Sequence, residues 1–163
     1  MKRPPFVYCP AYEADIGPHV FPTEKYRLIR DELLASGLAE PGDFVEPDEQ
    51  DRAVLRLAHD ADYLRDLFEL RQSPATLTSE LPLTAEIARW FELAVYGTIS
   101  ATRLAAARGG AMHLGGGFHH AFSGRAEGFC YLNDTAVAAR VALGDGPLEG
   151  VARSVSVVDV DVH

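Results

Sequence analysis

The apolar positions of this chain fall into short buried runs separated by stretches of helical period. F-V-Y-C (6–9) is four apolar residues between prolines, which predicts a strand covered on both faces. From about Pro22 to Ser36, Tyr26, Ile29, Leu33 and Leu34 recur at the spacing of one helix face, with Gly37 placed to end it. A-E-P-G-D-F-V-E-P-D-E-Q (39–50) predicts a turn, a short strand at 44–46 and a helix start capped by Asp48. Two short helices over 48–58 and 61–71 follow, flanking His59 and Asp60, and then a loop from Gln72 to Glu80. The longest helical pattern spans 84–108. Thr84 caps it, Gly109 and Gly110 stop it, and Ile87, Trp90, Phe91, Ala94, Val95 and Ile99 form the predicted buried face.

A-M-H-L (111–114) predicts a strand that runs straight into G-G-G-F-H-H. Asn133 and Asp134 start a helix from about 134 to 143. G-D-G-P then leads to a last strand, S-V-S-V-V-D-V-D-V-H (154–163). Strands alternating with helices predict an α/β fold with a mainly parallel sheet and helices on both sides. In the final strand, period two puts Val158, Val160 and Val162 on one face and Asp159, Asp161 and His163 on the other. Two carboxylates on one face repel unless a positive group lies beside them. A bound cation answers that, and aspartate with histidine is a common zinc pairing. A solvated edge strand with alternating polar residues would show the same period, but the valines argue against it.

Ligands of open α/β sheets sit outside the carboxyl ends of the strands, and both unusual segments lie at such ends. The three glycines permit close backbone approach in front of His119 and His120, as the floor of a site requires. G-R-A-E-G-F-C-Y-L-N-D (124–134) reads as a glycine-rich loop in which Tyr131 and Leu132 anchor the core.

Composition adds little to this picture. The 163 residues are 47% hydrophobic and 24% charged, ordinary for a globular protein large enough for a substantial core. The net charge of −9 argues against nucleic-acid binding and tolerates a basic substrate. Cys9 and Cys130 form no close-spaced redox or metal motif, so a reduced cytoplasmic setting is expected. Neither a signal peptide nor a membrane-spanning run is predicted.

L-G-G-G-F-H-H-A, G-F-C-Y-L-N-D and V-V-D-V-D-V-H, in that order, resemble the successive active-site blocks of the zinc-dependent histone deacetylase family. F-V-Y-C-P-A-Y and F-P-T-E-K-Y-R are most similar to its class IV branch and bacterial relatives, and A-H-D-A-D-Y-L (58–64) resembles a further family segment. The resemblance implies a three-layer α/β/α arginase/deacetylase-like domain and assigns roles. Asp161 and His163 match the first two zinc ligands. His119 and His120 match the catalytic histidine pair, with His120 as general base and His119 as charged partner or acid. Asp159 matches the aspartate that holds His119 and takes part in a potassium site near Asp159 and Asp161. Gly128 and Phe129 match the wall of a channel for an acyl-lysine side chain.

The family's third zinc ligand and its oxyanion-stabilising tyrosine lie downstream of the D-x-D-x-H block. The expectation is therefore the N-terminal part of one catalytic domain over 1–163, inactive alone and completed by a missing C-terminal half. Three functional classes remain open at this point: an acyl-lysine deacetylase, an amidohydrolase of small acetylated amines such as polyamines, and a non-enzymatic fragment that needs a partner chain. An arginase-like manganese site is a more distant alternative.

Overall fold

The computed structural model describes residues 3–145 and 150–161. Its sheet has three short parallel strands, β1 (Phe6–Val7), β2 (Phe44–Val45) and β3 (Met112–His113), in the order β2-β1-β3. Phe6 pairs with Phe44 and Met112, and Val7 pairs with Val45 and His113. The ladder continues through Tyr8 N–H to Val45 O and Leu114 N–H to Val7 O, both 3.0 Å. β1 is central, and its two residues are almost fully covered, as the apolar run predicted.

Among the described residues it is accompanied by five α-helices: α1 (Lys25–Ala35), α2 (Ala61–Phe68), α3 (Pro74–Leu77), α4 (Ala85–Arg108) and α5 (Asp134–Leu143). α4 forms where its periodicity and caps place it. Thr84 Oγ1 accepts from the Ile87 N–H, and Gly109 closes the helix in the left-handed conformation. All six residues of its predicted face are buried, and they pack α4 onto β1, β3 and α5. Two corrections are local. The segment predicted as a helix over 48–58 is a 3-10 helix at Arg52–Leu57 capped by Asp51, whose carboxylate accepts from Ala53 N–H. Asp48 instead gives its backbone N–H to Ser100 Oγ of α4. The predicted loop 72–80 holds α3, started by Pro74 in its first turn.

The third correction concerns the last predicted strand. Residues 155–161 form no strand, and Val162 lies outside the described residues. Val151 and Ala152 donate their N–H groups to Ala142 O, which turns the chain back over α4 and α5. Val158 and Val160 are each 84% exposed. Alternation selects a face of a strand but does not supply the neighbour to which the strand must hydrogen-bond. Among the described residues this segment pairs with neither sheet edge, so its valines stay in water. No helix among the described residues is long and apolar enough to cross a membrane.

Candidate active site

The loop that follows β3 is fixed by its own apolar residue. Phe118 is buried against Phe91 and Trp90 of α4, with ring centroids 4.6 and 5.5 Å away. That anchor leaves the next two residues, His119 and His120, half-buried with their rings edge to face, centroids 4.3 Å apart. Their Nε2 atoms are 3.1 Å apart, so one donates and the other accepts. Asn133 pins the loop from behind. Its Nδ2 donates to His119 O (2.9 Å) and Ala121 O (3.2 Å), while Oδ1 caps α5 through Ala136 N–H. His59 in turn holds Asn133. Its Nε2 faces the Asn133 N–H and must accept, so Nδ1 carries the proton and donates to Phe122 O, 3.0 Å each. Burial lowers the His59 pKa and keeps this ring neutral.

Asp159 and Asp161 approach the pair although their segment is no strand. Asp159 Oδ2 lies 2.6 Å from His119 Nδ1, and Asp161 Oδ2 lies 3.7 Å from His119 Nε2. His163 lies outside the described residues. A carboxylate on Nδ1 fixes the imidazole tautomer, which leaves the His119 Nε2 lone pair facing His120 Nε2.

The two histidines and Asp161 open onto a cavity of about 510 Å³. Gly128 and Phe129 form part of its wall, and both have positive φ, +47° and +62°. At Gly128 a Cβ would come 2.9 Å from His120 Cγ, so glycine is needed for the loop to lie against that ring. For the bulky Phe129 the left-handed conformation costs roughly 1–2 kcal/mol. It is held by the Phe129 N–H bond to Ser79 O and by the edge of His19, whose ring centroid is 4.7 Å away. Sequence reasoning missed the opposite wall: Phe21, Tyr26 and Lys25, whose ammonium sits 3.4 Å over the Phe21 ring. Partial burial lowers the Lys25 pKa. Nothing in the spacing of α1 signals that its first turn faces His120. Cys130 also lines the cavity, but burial raises its thiol to about 11, so it is no nucleophile near neutral pH.

His119, His120 and Asp161 offer ligand atoms within 4.8 Å of one another. In a tetrahedral zinc site with bonds near 2.0–2.1 Å, ligand atoms are separated by about 3.3 Å. Asp161 thus offers a carboxylate oxygen of a donor type that zinc takes, while the two imidazoles beside it are hydrogen-bonded to each other.

The sequence model of the histone deacetylase domain matches residues 19–163. An uncharacterized protein of Picosynechococcus is 38% identical over 161 residues, an alignment covering 98% of this chain and 52% of the relative. The acetoin utilization protein AcuC of Bacillus subtilis is 33% identical, with 85% of this chain and 39% of AcuC covered. The crystal structure of a histone deacetylase homologue from Aquifex aeolicus superposes with a TM-score of 0.71 at 24% identity, covering 89% of this chain and 42% of that one. The chain thus spans about half the length of the first relative and two fifths of the others, and its fold is the three-layer α/β deacetylase fold in part.

Proposed function

The chain belongs to the histone deacetylase family, and on that premise we propose that it carries the proton-handling half of a zinc-dependent amidohydrolase that removes acetyl or longer acyl groups from lysine side chains. The observation that carries this reading is the His119–His120 ring pair, backed by Asp159 and facing a cavity walled by Gly128 and Phe129. His120 takes the proton of the attacking water as the general base. His119, oriented by Asp159, serves as its charged partner or as the acid for the leaving amine. The Phe129 ring walls the path of the substrate's aliphatic stem and helps position the scissile amide. Asp161, with His163, would hold the zinc, which supplies Lewis-acid polarisation of the amide carbonyl and a bound water of lowered pKa. Potassium near Asp159 and Asp161 belongs to the same proposal.

The net charge of −9 suits a cationic substrate, either an acyl-lysine protein or a small acetylated amine, and the two free cysteines suit the cytoplasm. The test offers the natural protein fluorogenic acetyl-lysine and long-acyl-lysine peptides and acetylated polyamines, with and without a chelator. Zinc affinity is read in parallel by competition with a chromogenic chelator. Expected is chelator-sensitive turnover that His120→Ala abolishes while zinc stays bound, and that Asp161→Ala abolishes together with zinc binding. Chelator-insensitive turnover, or normal turnover without His120, overturns the mechanism. Loss of zinc in His120→Ala would make that residue a ligand rather than the base.

A further inference from the structure

Behind the G-G-G-F-H-H loop lies a line of buried polar groups that the proposed reaction does not use. Tyr12 Oη is 2.8 Å from His113 Nε2, and His113 Nδ1 is 2.9 Å from Thr98 Oγ1. Thr98 Oγ1 is 2.5 Å from Asp134 Oδ2. Asp134 is fully buried, and its carboxylate accepts from Gly117 N–H at 3.0 Å and Phe118 N–H at 2.7 Å. These four residues come from the 3-10 turn at 10–12, β3, α4 and α5.

With Asp134 as the carboxylate, donor and acceptor rules leave one proton order. A carboxylate has no proton to give, so the Thr98 hydroxyl must donate to Asp134. Thr98 Oγ1 is then an acceptor toward His113, whose Nδ1 carries the ring proton. Nε2 is left to accept, and the Tyr12 hydroxyl supplies that bond. Every donor runs toward Asp134. His113 is half-buried by surface area, yet protein crowds its ring closely enough to pull its pKa down to about 3, which leaves the ring one proton, as this order requires. Burial pushes the Asp134 pKa up, while hydrogen bonds from Thr98 and from the Gly117, Phe118 and Thr135 N–H groups oppose the rise.

The glycines give a second, independent mark of this assembly. A Cβ at Gly116 would lie 2.5 Å from His113 Nδ1, 2.7 Å from Asp134 Oδ2 and 2.8 Å from Thr98 Oγ1. One at Gly115 would overlap the Tyr12 ring, and one at Gly97 would overlap His113 and the Tyr12 hydroxyl. Gly115 and Gly116, just before the histidine pair, therefore make room for the relay.

We infer that Asp134 is a positioning residue for the His119–His120 pair: the relay Tyr12–His113–Thr98 delivers donors to its carboxylate, which fixes the backbone immediately before His119. Together with Asn133, it holds four points of the loop, at Gly117, Phe118, His119 and Ala121. The catalytic meaning of that placement rests on the function proposed above, but the placement itself does not.

The test uses Asp134→Asn, which keeps the shape but turns amide hydrogens toward donors, and Thr98→Val, which cuts the relay and leaves both loop bonds. Three quantities are read by NMR and thermal melting: amide hydrogen exchange at Gly117 and Phe118, the inter-ring nuclear Overhauser effect between His119 and His120, and the melting temperature. Expected in Asp134→Asn is exchange at Gly117 and Phe118 at least tenfold faster than any change at buried α4 amides such as Ile99, with the inter-ring signal at least halved. Thr98→Val shows the same pattern more weakly, and it decides the matter if Asp134→Asn does not fold. Uniform acceleration across loop and core with the inter-ring signal intact would make Asp134 a merely structural residue and overturn the inference. Where turnover is measurable, Asp134→Asn lowers kcat at least tenfold with KM within twofold. A natural protein that also carries the C-terminal half, yet shows no turnover while its loop is coupled to Asp134, sinks the deacetylase reading alone. Turnover with kcat unchanged in Asp134→Asn sinks this inference alone.

Discussion

Gly97→Ala sets two effects against each other. Gly97 sits inside α4, where replacing glycine by alanine ordinarily stabilises a helix by about 1 kcal/mol. Here the new methyl would overlap His113 Nε2 and the Tyr12 hydroxyl and stand 2.6 Å from His113 Cε1. Tyr12 is fully buried, so the ring cannot swing into solvent. Overpacking of this kind costs roughly 1–3 kcal/mol, and parting Tyr12 from His113 forfeits about 1 kcal/mol of hydrogen bonding. The clash wins, and the net loss is about 1–3 kcal/mol. With a urea m-value near 2 kcal/mol/M for a chain of this size, the unfolding midpoint falls by about 1 M. Trp90, the single tryptophan and 1% exposed beside the cavity wall, reports the transition by fluorescence. The double variant Tyr12→Phe/Gly97→Ala removes one of the overlapping atoms, so it should be more stable than the sum of the two single changes implies. A midpoint raised by Gly97→Ala would show that helix propensity dominates and that the packing around His113 is looser than drawn here.

Two further outcomes follow from buried charge. His59 and His113 are held neutral in the folded chain, with pKa values below the ordinary 6.5. Below that pH the unfolded chain takes up protons that the folded one refuses, so the melting temperature falls as pH drops from about 6.5 toward 3. His113→Asn flattens this dependence, and an unchanged pH profile in that variant contradicts the assignment. Glu92 is 2% exposed in α4 and is held by Arg52 Nε and Arg89 Nη1, both 2.6 Å away, and by Tyr96 Oη at 3.0 Å. Burial would raise its pKa, but the two guanidiniums outweigh burial and hold it below the usual range. Glu92→Gln at pH 7 should cost roughly 1.5–3 kcal/mol in chemical denaturation, the worth of hydrogen bonds to a charged group. A cost under a few tenths would mean that the two arginines gain as much from water.

Features encoded within a few residues were legible in the sequence. The period of 3.6, Thr84 and Gly109 define α4 because capping and amphipathicity act over one or two turns. The apolar run 6–7 defines the central strand in the same way, and the motif blocks name the family. His119, His120 and Asp159 were singled out before any geometry, and the tertiary structure sets Asp159 2.6 Å from His119. What the sequence did not contain is which distant group each residue meets. Asp48 reads as the cap in the sequence, but its N–H goes to Ser100 of α4 and the carboxylate that caps the turn is that of Asp51. The valines of 154–161 carry a strand's alternation, but strand formation depends on a hydrogen-bonding neighbour, which a local pattern does not specify. Asp134 reads as the first residue of a helix, and only the convergence of α4, α5, β3 and the loop turns it into a buried anchor. The glycines before His119 are visible in any reading, but the reason for Gly115 and Gly116 is the crowding of Tyr12, His113 and Thr98, which the packing of four segments creates.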